Sequence, residues 1–167
     1  MAQRMAPTDL HRLPLVPAPD LRRLFGPRDG APREDPDAAR LRAAESALGV
    51  RTRDPRLLRC ALTDPGWCNE AETPPWVDPW PGNRALAESG APALESRGID
   101  PAAAARRADA LGLWPHLWLT AGQRQLRGAG RDKVLARGLA ALMGALIEDH
   151  DGDEARAAAA LGTLLAP

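Results

Sequence analysis

One stretch limits what this chain can become: Gly130 to Asp149, GRDKVLARGLAALMGALIED. Leu135, Leu139, Leu142 and Leu146 recur at spacings of four, three and four, the period of one helix face. Met143 and Ile147 widen the stripe, which predicts a helix buried on more than one side. Ala136, Ala140 and Gly144 form a second line at steps of four. All are small, so another backbone can come close along that line. The stretch therefore predicts a central helix with neighbours packed around it, in an all-α domain. Asp132 is the expected N-cap and His150-Asp151-Gly152 the expected exit turn.

Further helix signals surround it. Asp37 can cap a helix to Leu48, with Leu41, Ala44 and Leu48 on its apolar face and Gly49 as its stop. Asp54-Pro55 and Asp100-Pro101 each place proline at a first helical position behind a capping aspartate. The first pair predicts a helix burying Leu57, Leu58, Ala61 and Leu62; the second predicts one through Leu111 that stops at Gly112. Asp153 to Leu165 reads as a last amphipathic helix with Ala158, Leu161 and Leu165 inward. Gly122 to Gly130 reads as a flexible basic turn, because the Lys-Ser/Thr ending of a phosphate loop is absent.

Composition excludes more than it assigns. At 167 residues with 22 basic and 22 acidic side chains, no global charge points to nucleic acid or membrane. Lys133 is the only lysine, and arginine grips phosphate bidentately, which leaves RNA contact open. Cys60 and Cys68 fit no zinc spacing and are expected as free thiols. No apolar run spans a bilayer and no signal core opens the chain, so the expectation is a soluble protein, cytoplasmic or, in a eukaryote, of the mitochondrial matrix. Residues 1–36, rich in Pro and Arg, read as an extended arm, and 37–165 as the folded domain. In TPPWVDPWPG, Trp76 and Trp80 offer rigid surfaces either for RNA bases or for the domain's own core.

Four segments resemble the ribonuclease III domain family. Asp54 to Glu70, DPRLLRCALTDPGWCNE, is similar to the family's D-P-x-L-L-x-x-A-L-T-H-x-S-[YW]-x-N-E, with Asp64 and Gly66 where the family has His and Ser. LARGLAALMGALIED resembles its signature helix L-A-D-x-x-E-A-L-I-G-A-I-Y-L-D, closing on Asp149. NRALAESGAPAL, Asn83 to Leu94, aligns with N-E-R-L-E-F-L-G-D-A-V-L and contains Pro92, which should interrupt or kink a helix. Leu111 to Leu119 is similar to the family's L-G-L-x-x-x-L-x-L turn. The resemblance covers roughly Asp37 to Leu165, shortened between Glu95 and Asp100, and includes no double-stranded-RNA-binding domain. It implies a ribonuclease III-like helical fold.

Family enzymes cut double-stranded RNA with a divalent metal held by clustered carboxylates. The corresponding positions here are Arg84, Ala87, Ala91, Arg137 and Ala140. The resemblance therefore implies a non-catalytic member with no metal site and no cofactor, and with positive charge where the metal would sit. RNA and other proteins are the expected partners, with Arg84, Arg124, Arg127, Arg131, Lys133, Arg137, Trp76 and Trp80 as RNA-binding candidates. Glu88 stands where the family inserts an aromatic side chain into its dimer partner, which disfavours the usual homodimer and makes Glu88 the interface candidate. The implied role is RNA binding and scaffolding, as in ribosomal proteins of the mitochondrial large subunit. The alternatives are an endoribonuclease acting alone or in a heterodimer, and a protein-interaction module without RNA.

Overall fold

The computed structural model describes residues 37–70 and 82–165, apart from the side chains of residues 69, 70, 163 and 164. The N-terminal arm and the stretch holding Trp76 and Trp80 lie outside the described residues. The described chain is all-α. Its order is α1 (Ala38–Leu48), α2 (Pro55–Leu62), α3 (Pro65–Glu70), α4 (Arg84–Glu95), α5 (Pro101–Ala110), a 3-10 turn (Trp114–His116), α6 (Ala121–Arg124), α7 (Gly128–Asp149), α8 (Glu154–Ala160) and a closing 3-10 turn (Gly162–Leu165). Among these residues no helix is long and apolar enough to cross a membrane.

α7 is the axle. It is packed most extensively by α4, then by α5, α2 and α8. Leu135, Leu139, Leu142, Met143 and Leu146 are fully buried, and Ile147 nearly so, which is the wide stripe expected from their spacing. The small-residue line works at its end nearest α4. A β-carbon on Gly90 would collide with the Ala140 carbonyl oxygen, and one on Gly144 with the Leu86 carbonyl oxygen. The two backbones touch there, so glycine is required on both helices.

Local caps explain several helix starts. The Asp54 carboxylate accepts from Arg56 N at 3.0 Å, Asp100 from Ala103 N at 2.7 Å and Asp153 from Arg156 N at 3.0 Å. Thr120 and Gln123 form a reciprocal capping box that starts α6. Gly49 and Gly112 end α1 and the α5 segment in left-handed conformations, with φ of 66° and 72°. A second anchor is long-range: buried Asp149 accepts from the backbone N–H groups of Arg53 at 2.9 Å and Asp54 at 3.0 Å, which clamps the start of α2 to the end of α7.

Four expectations need correction. α7 begins at Gly128 rather than at Asp132, and Arg127 at its cap position makes no side-chain capping bond. Half-buried Leu126 lies within 3.2 Å of where a Gly130 β-carbon would stand, so a short-range contact covers a start that two glycines make locally poor. The Gly122–Gly130 stretch is consequently α6 followed by the first turn of α7, not a free turn. Pro92 does not interrupt α4, which runs to Glu95: Pro92 is exposed, while Ala93 and Leu94 beside it are buried. The last helix is shorter than expected, ending at Ala160 before a 3-10 turn that Gly162 opens at φ 54°. Its inward residues are Ala157 and Leu161, with Ala158 and Leu165 half-buried.

Both cysteines are free. Burial pushes the Cys60 thiol up to about 12, with Cys68 a lesser cause, and its Sγ lies 3.2 Å from the Gly82 carbonyl oxygen. Half-buried Cys68 is therefore expected to take up iodoacetamide in the native protein while Cys60 does not. Peptide mass mapping should find one adduct, and both thiols modified after denaturation; a native adduct on Cys60 would contradict its burial.

Candidate functional site

Two of the segments that resemble the family's motifs, 83–94 and 135–149, lie on α4 and α7, whose close crossing sets the site. On α4, positions 84, 87, 88, 91 and 95 fall on one side, at helical spacings of three and four. On α7, positions 136, 137 and 140 face them. Between the helices lies a cavity of about 490 Å³, closed on a third side by Ile99, Pro101 and Ala104. Arg84, Ala87, Ala91, Arg137 and Ala140 all line it, although they are separated by up to 56 positions in the chain. Glu88 and Glu95 line it as well.

Its electrostatics differ from the expected positive hole. The Arg137 guanidinium pairs with the Asp64 carboxylate at 3.3 Å, and Asp64 is 2 % exposed. Asp64 is held in place by Gln123 Nε2 at 2.6 Å and by Gly66 N–H at 2.8 Å. Arg137 therefore arrives at the cavity already neutralised. Arg84 contributes one positive charge and Glu88 and Glu95 two negative ones. Charges of both signs surround an apolar floor. Among the described residues no group of three or more His, Cys, Asp or Glu side chains is placed to hold a metal ion.

Sequence alone gives Gln123 no role, and gives Asp64 only a place in the motif that resembles the family's, not a role in this site. The Asp64-Pro65-Gly66 run carries a turn signal, and its side chain makes the corresponding bond to Gly66 N–H. Nothing local marks the pairing with Arg137, because the partners are 73 residues apart.

The basic candidates separate into engaged and open groups. Arg131 is bonded to Asp109 and lies over the Trp114 ring, 5.0 Å from its centroid. That hydrogen bond holds the Asp109 carboxyl below its usual range. Arg127 is exposed and donates to the Leu126 carbonyl at 3.0 Å. Arg124 and Lys133 are exposed, with no side-chain hydrogen bond or ion pair to other described residues.

A basic cluster that the sequence did not reveal gathers around Trp118. Arg40 stacks on the Trp118 ring at 3.7 Å and donates to the Leu117 carbonyl at 3.3 Å. Burial, then the nearby Arg124 charge, lowers the Arg40 pKa, with Asp37 opposing. Burial, then Arg40, pushes the His116 imidazole below its ordinary value. Arg40 and Arg124 thus bring two like charges together beside an aromatic ring, from α1 and α6, with His116 of the 3-10 turn held towards its neutral form next to them. Such a patch suits phosphate, which would relieve its internal repulsion. No protein-family model matches this chain, and no curated protein does.

Proposed function

We propose that the chain is a non-catalytic ribonuclease III-like protein that binds structured RNA and acts as a scaffold, in the manner of a ribosomal component. One observation carries this reading: the five positions aligned with the family's acidic residues, taken from two distant segments, converge on a single cavity. A chance alignment of motifs would not be expected to gather them there. Alanine occupies three of those positions, and Arg137 is spent on Asp64, so the carboxylate cluster that metal-dependent cleavage requires is replaced. RNA contact falls instead to the Arg40–Arg124 pair beside Trp118, with exposed Arg127 and Lys133 nearby in the chain.

The test is fluorescence anisotropy of the full chain with a labelled RNA duplex across a salt series. The expected result is binding that weakens steeply with salt, without cleavage when Mg²⁺ is added. Reversing Arg40 and Arg124 together (R40E, R124E) should weaken binding about equally across sequences and reduce the salt slope by about two. Mg²⁺-dependent cleavage abolished by EDTA would replace this reading with an endoribonuclease. That alternative draws on Glu88 and Glu95, the two carboxylates still on the cavity. Absence of duplex binding at low salt would leave a protein-interaction module.

A further inference from the structure

The cavity between α4, α5 and α7 has a charge balance that its own residues leave open. Arg84, Glu88 and Glu95 line it and make no side-chain hydrogen bond or ion pair with other described residues. Arg137, the other charged lining residue, is committed to Asp64. One free positive charge against two negative ones leaves a net charge of minus one.

The placement of these charges along α4 reinforces that sign. Arg84 is the first residue of the helix and Glu95 the last. Each therefore opposes the helix dipole, with the cation at the positive end and the anion among the terminal carbonyls. Arg97, the cation two residues on, does not relieve Glu95, because it is turned to the Ala93 carbonyl at 2.6 Å and towards Glu154 at 3.9 Å. The Glu95 end of the cavity consequently combines a free carboxylate with a helix C-terminus, and both attract a cation. Between the charged ends the walls are apolar: Ala87, Ala91, Leu94, Ala104 and Ala140. A volume of about 490 Å³ lies in the range of roughly 300–1,000 Å³ typical of small-molecule sites.

We propose that this cavity binds a small hydrophobic monocation, with its apolar body on the alanine-rich floor and its ammonium directed to Glu88 and Glu95. Alanine at 87, 91 and 140 is what opens the space, since longer side chains there would fill it. The inference is independent of RNA binding, which is assigned to a different surface. An anionic phosphate backbone would be repelled by these two carboxylates.

An isosteric series of probes tests sign and shape together: 1-adamantylammonium, 1-adamantanol and 1-adamantanecarboxylate, titrated into the full chain by calorimetry at neutral pH and low salt. The ammonium should bind about tenfold or more tighter than the carboxylate, with the alcohol between them. In the E88Q/E95Q double variant, the ammonium should fall to the affinity of the alcohol, whose own binding stays unchanged. Both glutamates are exposed, so this variant keeps the fold. Arg84→Gln should instead strengthen ammonium binding. Filling half-buried Ala91 with leucine should remove binding of all three probes, with an unchanged circular dichroism spectrum as the check on folding. Failure of all three to bind the wild type at millimolar concentration overturns the proposal. So does a carboxylate that binds as tightly as the ammonium, or an ammonium preference that survives the double variant. Neither result affects the RNA reading, which is measured on R40E/R124E.

Discussion

Replacing Gly144 with alanine is expected to cost about 3 kcal/mol or more of stability, read as a lower denaturation midpoint at unchanged slope. In an isolated helix the same change is favourable by about 1 kcal/mol, because alanine is the better helix former. The sign reverses here because the added methyl would meet the Leu86 carbonyl oxygen, and backbone cannot rotate away as a side chain can. α4 would have to move off α7, opening the core around Leu86, Leu139 and Met143, all of them fully buried. Gly90→Ala should behave alike, since its methyl would strike the Ala140 carbonyl from the other helix. Because both substitutions relieve themselves by the same separation, the double variant should lose less than the sum of the two. Gly122→Ala is the control: its β-carbon would meet only the Thr120 hydroxyl at 3.9 Å, so stability should hold or rise slightly. A neutral Gly144→Ala would mean that the two helices do not touch as described.

Asp149→Ala should be the other severe lesion, at about 3 kcal/mol. The carboxylate is 1 % exposed and receives two backbone N–H groups, from Arg53 and Asp54, with the Arg53 guanidinium 3.6 Å away. Its loss strands two donors where water is scarce, and the Arg53 side chain, half exposed, adds little of its own. Asp149→Asn retains one carbonyl acceptor and should lose roughly half as much. Thermal unfolding of the three proteins side by side gives the order wild type, Asn, Ala. If Ala and Asn unfold together near the wild type, the clamp between the end of α7 and the start of α2 is not a stabilising contact. Asp149 would on this account be structural, holding the entry to α2, and it is not among the residues lining the cavity.

Much of the fold was legible because its signals are local. Asp54-Pro55 and Asp100-Pro101 announce helix starts through one side-chain bond and one fixed φ, and both bonds are present. The leucine spacing of α7 announced a helix buried on several faces, since periodicity is a property of the helix alone. At Asp132 and Pro92 a local preference was overridden: α7 starts at Gly128 instead, with half-buried Leu126 against its first turn, and buried Ala93 and Leu94 accompany α4 past its proline. The site was half legible. Motif register grouped Arg84, Ala87, Ala91, Arg137 and Ala140, but the charge that Arg137 presents depended on Asp64, on another helix boundary altogether.

By itself, then, the sequence determined most of the longer helices, much of the face that each buries, and the residue types at the five positions that line the cavity. Those are consequences of spacing and residue type, which need no third dimension. Tertiary structure alone decided which charges remain free. It neutralised Arg137 with Asp64, tied Arg131 to Asp109, left Glu88 and Glu95 without partners among the described residues, and brought Arg124 close to the Arg40 that stacks on Trp118. Coulomb interactions act through space and weaken with distance and exposure, so a charge's meaning is set by its neighbours in the fold rather than in the chain.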